Sequence, residues 1–107
     1  MNETTVLNHA ITGAASTIEV PFNTYNTSIG FQFIYAGLDA DVTLMPQISL
    51  NGGVNYDDFE VGQIVLQAGA TSEGITIEDL RNNYTIRWRV LASDATEGTI
   101  TSVVVSK

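Results

Sequence analysis

The chain has 107 residues, 12 acidic against 4 basic side chains, no cysteine and a formal charge of −8, which rules out disulfides and thiolate metal centres. It also speaks against phosphate-backbone binding and hence nucleic acid, because that affinity rests on Lys and Arg displacing counterions. A domain of this size buries ~65% of its unfolded surface, so residues 1–107 are read as one domain that needs no staple.

No apolar run is long enough to span a membrane, and Met1-Asn-Glu-Thr-Thr5 lacks the basic and apolar regions of a secretion leader. Charge is unevenly placed. Residues 1–80 contain no Lys or Arg, and the 4 basic residues (Arg81, Arg87, Arg89, Lys107) all lie in the last quarter.

Residues 4–11 form a strand candidate containing His9. A lone histidine without a second histidine or clustered carboxylates reads as structural rather than as a ligand. In residues 16–22, Ile18, Val20 and Phe22 alternate with Thr17 and Glu19, and Pro21, which has no ladder donor, puts this strand at an edge or at its own end. Residues 23–28 are a polar turn. In residues 29–36, Ile29, Phe31, Phe33 and Tyr35 share one face, with Gln32 and Ile34 on the other. After a loop at 37–41, Val42, Leu44, Pro46, Ile48 and Leu50 make a second alternation, in which Pro46 marks a bulge or a sheet switch.

Asn51-Gly52 is the strongest hairpin signal, since both residues tolerate positive φ. Residues 59–61 and 63–67 read as one or two short strands, 69–74 as a turn and 75–77 as a strand. A single helical turn fits at 78–83. Residues 83–91 are taken as the central strand. Tyr84, Ile86, Trp88 and Val90 lie on one face, with Thr85, Arg87 and Arg89 on the other, and Trp88 is the core plug, together with Phe31 and Phe33. A turn at 93–98 leads to the closing strand 99–106. Seven to nine short strands with no amphipathic helix point to an all-β fold, an antiparallel β-sandwich of jelly-roll-like form.

Few side-chain groupings suggest chemistry. Asn51, Asn55, Asp57, Asp58 and Glu60 crowd oxygen ligands into ten positions, which suits a hard cation such as Ca²⁺, although the spacing misses the helix-loop-helix calcium loop and acidic hairpin ends are ordinary. Ser49-Leu-Asn-Gly-Gly-Val-Asn-Tyr56 also matches a degenerate Asp-box, a structural hairpin, with Asn51 for Asp and Tyr56 for Trp. Asp57 with Asp58 and Glu78 with Asp79 are carboxylate pairs, but strand neighbours point to opposite faces, so neither pair makes a glycosidase dyad. His9 has no nucleophile motif around it. The sequence therefore reads as a non-enzyme, without catalytic residues or a cofactor.

Phe31-Gln-Phe-Ile-Tyr-Ala-Gly37, Asn51-Gly-Gly-Val-Asn-Tyr56 and Tyr84-Thr-Ile-Arg-Trp-Arg-Val90, followed by Gly98-Thr-Ile-Thr and Lys107, resemble a group of small phage-encoded β-sandwich proteins across residues 29–107. The pattern departs from theirs at Gly52, where Asp is usual, at Tyr56 for Trp, and at Ser106 for Gly. The resemblance implies a virion structural protein: a minor capsid, decoration or vertex/spike subunit on the capsid exterior. Its expected partners are further copies of itself, a viral shell protein, or both. The acidic surface suits that position, because a DNA-facing subunit is expected to be basic.

The interface expected from the residues comprises Arg87 and Arg89, paired with carboxylates of neighbouring strands or subunits, and the uncharged closing strand through Thr99, Thr101, Val103 and Val105, which needs either an inner position or a partner. The alternative reading is a carbohydrate-binding module, with Tyr25, Tyr35, Tyr56 and Phe59 as its candidate aromatic strip.

Overall fold

The computed structural model describes residues 2–20, 28–78 and 85–106. Expectations for Pro21, Phe22, Tyr25, Arg81, Tyr84 and the turn at 79–83 lie outside those residues. Within them, alternation of branched and aromatic residues with Ser, Thr, Gln and Arg produces β1 (Asn2–Ala10), β2 (Ser16–Glu19), β3 (Ile29–Ala36), β4 (Val42–Ser49), β5 (Asp57–Asp58), β6 (Ile64–Leu66), β7 (Ser72–Ile77), β8 (Thr85–Val90) and β9 (Thr99–Ser106). All pairings are antiparallel. One sheet runs β1-β9-β3-β7, and the other runs β2-β8-β4-β5 with β6 also on β4. The chain is thus an all-β, two-sheet sandwich.

Period two decides what faces inward. β3 alternates buried Ile29, Phe31, Phe33 and Tyr35 with more exposed neighbours, and β8 buries Ile86, Trp88 and Val90. Trp88 is fully enclosed. It meets Phe31 edge-on at 5.2 Å and 73°, and Phe33 at 5.0 Å and 79°, so the two sheets are joined by three interlocked rings. Each such pair contributes about 0.5–1.5 kcal/mol beyond area burial. The Trp88 Nε1 proton finds no acceptor among the described residues.

Several expectations are corrected. Residues 59–61 are not a strand: Glu60–Gly62 is a 3₁₀ turn, closed by Gly62 N–H to the Phe59 carbonyl (3.1 Å) and Gln63 N–H to that of Glu60 (3.2 Å). A side chain at Gly62 would meet Pro46 Cγ at 2.8 Å, so the chain passes here only as glycine. The 69–74 turn is shorter than read, because β7 already begins at Ser72.

Pro46 causes no bulge, and its register against β8 is regular. Its carbonyl accepts from Phe59 N–H (2.8 Å), so its nitrogen faces the same side, in the gap where the neighbour of β4 changes from β6 to β5 and no donor is required. The alternation of β4 also fails past Pro46. Ile48 is only half-buried and Leu50 is exposed, while Gln47 and Ser49 are buried, because the following loop folds back onto the outer face.

Candidate functional site

The outer face of the β2-β8-β4-β5 sheet carries a polar row. Register places Glu19 beside Arg87, Arg87 beside Gln47, and Gln47 beside Asp58. Arg87 Nε donates to Gln47 Oε1 (2.8 Å) and Gln47 Nε2 donates to Asp58 Oδ1 (2.8 Å). Tyr56 lies over Arg87, its ring centroid 3.9 Å from the guanidinium carbon, a cation–π contact.

The expectation that Arg87 and Arg89 pair with carboxylates is corrected for the neighbouring strands described, and for a neighbouring subunit it stands as an expectation. Among the described residues neither guanidinium forms an ion pair, and Arg87 reaches a carboxylate only through the amide of Gln47. The intervening strand β4 separates Arg87 from Asp58, because it lies between β8 and β5 and supplies neutral Gln47 in the position next to Arg87, and Arg89 has neutral Thr17 and Met45 beside it; Glu19 adjoins Arg87 in register without an ion pair between them.

Loop 50–56 is held over this row by its own side chains. Ser49 Oγ donates to Asn51 Oδ1 (2.8 Å) and accepts from Gly53 N–H (2.9 Å); Asn51 Oδ1 accepts from Asn55 N–H (2.9 Å), and Asn51 Nδ2 donates to Asn55 Oδ1 (2.9 Å). A Cβ at Gly53 would meet the Tyr56 hydroxyl at 3.2 Å. Ser49, Asn51, Gly53 and Tyr56 are the positions of the degenerate Asp-box, and each has a structural task here. The hairpin signalled at Asn51-Gly52 is formed, between β4 and β5, with the turn one residue further along than read. Positive φ falls on Gly52 (74°) and Gly53 (93°), because the Asn51 amide is committed to the loop interior.

The five oxygen-bearing cation candidates are therefore not assembled into a cage. Asn51 and Asn55 bind each other, Asp58 binds Gln47, Asp57 is exposed, and Glu60 is in the 3₁₀ turn. Among the described residues no three of His, Asp and Glu gather as metal ligands.

The three described members of the aromatic strip do not form an exposed row, Tyr25 lying outside the described residues. Tyr35 is buried, with its hydroxyl donating to the Gln67 carbonyl (3.0 Å), Phe59 packs against the core, and Tyr56 is half-buried on Arg87. Burial, then the charge of Glu73, pushes the Tyr35 phenol above the usual tyrosine range. His9 faces Ser16, its Nε2 2.8 Å from Ser16 Oγ, which ties β1 to β2.

The closing strand takes the inner position. β9 pairs with β1 on one side and β3 on the other, and Val103 and Val105 are core residues. Thr101 is an extra residue at the shift in the β3 register, fastened by its hydroxyl to the Ile34 carbonyl (3.0 Å), while Thr99 stands opposite Ala10 and Ala36. Thr99, Thr101, Val103 and Val105 are thus taken up within the fold, because both ladder edges of their strand are filled. The edges left open belong to other strands. Among the described residues β1 pairs only with β9, over 9 residues whose one formal charge at neutral pH is Glu3, and Val6 is 70% exposed.

The outer face of the β1-β9-β3-β7 sheet differs from the polar row. The outward positions of β3 are Gly30, Gln32 and Ile34; β7 contributes Ser72, Gly74 and Thr76. β9 contributes Ser102, Val104 and Ser106, and β1 adds Thr4 and Val6. None is charged. Glu3 and Glu73, the carboxylates of these strands, fall on the opposite phase, paired with Val105 and Phe33. Gly30, Gln32, Gly74, Thr76, Val104 and Ser106 line a shallow open depression of about 360 Å³.

Two acidic residues read as part of a solvated loop prove to be staples. Asp39 accepts from the N–H groups of Thr96 (2.9 Å) and Glu97 (3.1 Å) and from the Thr96 hydroxyl (3.0 Å). The Glu97 N–H, followed by the Thr96 hydroxyl and N–H, holds its carboxyl below the usual range despite some desolvation. Asp41 accepts from Ala68 N–H (2.9 Å).

No family model matches this sequence, and no curated protein matches it. Among solved structures the chain is similar to a protein of the Bacillus endospore appendages, described as a family of disulfide-linked pili. The identity is 15%, the match covers 98% of this chain and 84% of that one, and the TM-score is 0.59. At that identity the likeness is one of fold.

Proposed function

We propose that this chain is a structural subunit working in many copies through protein–protein contacts, as a virion protein of the minor capsid, decoration or vertex/spike type on the capsid exterior. The observation that carries the reading is the open edge of β1: a long strand, almost without charge, with one ladder side unpaired among the described residues. Natural monomers blunt such edges with Lys, Pro or a covering element. The β1 edge has the register shift between Val6 and His9, with Asn8 at φ 48°, which leaves its first half regular.

A jelly-roll assignment belongs to the same proposal. Taking β5 and β6 as one interrupted strand, the sheets become two sets of four, and β1 and β2 at one end of the chain neighbour β9 and β8 at the other, an arrangement that two Greek keys produce. That architecture is frequent among capsid domains. The structural neighbour comes from appendages described as disulfide-linked pili, which is compatible with a multi-copy role. Its disulfide linkage has no counterpart here, since this chain has no cysteine, so assembly would rest on non-covalent contacts.

Sedimentation of the full chain across a salt series tests the reading. With a net charge of −8, association is expected to strengthen between low and physiological ionic strength as subunit repulsion is screened. A chain that stays monomeric at every salt and concentration, with no shell protein bound, overturns it.

A further inference from the structure

We infer that the uncharged outer face of the β1-β9-β3-β7 sheet is where a second copy of this chain packs, face against face, over the groove floored by Gly30 and Gly74. The inference rests on the multi-copy reading and names one of its contacts. Charge is the first argument for a second copy as the occupant. Two chains of −8 each repel at any approach that sets acidic surface against acidic surface. The outer face of the other sheet carries Glu19 and Asp58 together with Arg87 and Arg89, so a second copy there would have to bring opposite charges into register and desolvate them, whereas this face brings no formal charge to the contact.

The glycines are the second argument. Gly30, the second residue of β3, and Gly74, in the middle of β7, lie in regular ladders, and neither has positive φ. A Cβ at Gly74 would sit 3.5 Å from its nearest neighbour, the Phe31 carbonyl oxygen, and one at Gly30 would sit 3.4 Å from Ser106 Cβ. The fold itself thus has room for alanine at both positions. Glycine inside a strand weakens it and marks a place where another surface comes close. Here the missing side chains lower the floor of a depression of about 360 Å³, while half-buried Ile34 and the exposed Val6 stand on the same face outside it. A groove and proud apolar side chains on one surface meet the requirement of a two-fold, self-complementary contact.

Four strands about 4.8 Å apart and ~23 Å long give on the order of 450 Å² per copy. That is short of the ~800 Å² per partner of a stable interface. The contact is therefore reversible by itself and strengthened where other contacts hold copies together.

The test is sedimentation equilibrium at low and at physiological salt on full-length wild type, Gly74→Ala, Gly30→Ala and Gln32→Glu, each with a thermal melt. The glycine variants should melt at or above the wild-type temperature yet associate at least tenfold more weakly. Gln32→Glu should associate tenfold more weakly still at low salt and recover partly as salt rises. If the alanine variants fail to fold, the glycines serve the fold, and Gln32→Glu, an exposed side chain, decides alone. Wild-type association unchanged in all variants overturns this face and leaves the multi-copy reading to the sheet edges. A wild type that never associates overturns both. Retention of a monomeric chain on a polysaccharide column, lost in the glycine variants, would give the face to a glycan and overturn the inference.

Discussion

The two sheets share one core but present opposite exteriors. On the β2-β8-β4-β5 sheet, Arg87, Gln47 and Asp58 are bonded in register across three strands, and Tyr56 is laid over them by a loop stapled at Ser49 and Asn51. On the β1-β9-β3-β7 sheet the outward residues are uncharged and mostly small, and no loop among the described residues lines the groove. The difference shows how a strongly acidic chain can keep one side available for close approach. Of its described basic residues, Arg87 organises the opposite side and Arg89 shares that outward phase, and the carboxylates on the strands of the bare sheet take the inward phase. One exterior is committed to the fold, and the other has no task within it.

Removing the shared core tests both exteriors together. Trp88→Ala should cost about 3–5 kcal/mol, most of the stability of a small domain, because Phe31 and Phe33 lose their common partner. Urea unfolding followed by two probes should remain a single transition. Separate transitions would mean that the sheets are less dependent on each other than the ring contacts indicate.

The committed exterior should be sensitive and the bare one not. Arg87→Ala strands the Oε1 of buried Gln47 and removes the support of Tyr56, an expected loss of about 1–3 kcal/mol, which Arg87→Lys should not restore because Lys has neither the Nε donor nor the planar stack. Thr76→Ala on the bare face should stay within about 0.5 kcal/mol. Equal losses at the two positions, read from urea midpoints, would remove the contrast. Within the loop, Ser49→Ala takes the acceptor from Gly53 N–H and should cost about 1–2 kcal/mol.

The smallest effects concern titration. The Asp39 carboxyl is lower in the folded than in the unfolded chain, so its contribution is complete above the ordinary carboxylate range near ~4 and is lost as pH falls through the folded value. Asp39→Asn should flatten that part of the acid limb without changing association. Tyr35 is shifted upward, so its contribution is intact below about pH 10 and declines as pH rises beyond it, a decline that Tyr35→Phe should remove. Chemical denaturation at stepped pH measures both.

Period-two alternation is a local property of the extended chain, and it was enough to set Ile29, Phe31, Phe33 and Tyr35 on one face of β3 and Ile86, Trp88 and Val90 on one face of β8. The all-β class was legible for the same reason, as was the need of the closing strand for an inner position or a partner. Alternation does not say which strands become neighbours. That depends on pairings between distant residues, and here it placed β9 between β1 and β3, so that the strand of Thr99, Thr101, Val103 and Val105 was paired on both sides and Val103 and Val105 became core, and it put β4 between Arg87 and the carboxylate of Asp58.

Nor does alternation say whether an outward face stays outside. Ser49 and Gln47 read as solvent-facing until loop 50–56 folds over them. The sequence by itself determined the strands and the two faces of each. Only the tertiary structure decided which face would be covered, bonded or left bare, because a strand's own geometry carries no information about what crosses over it.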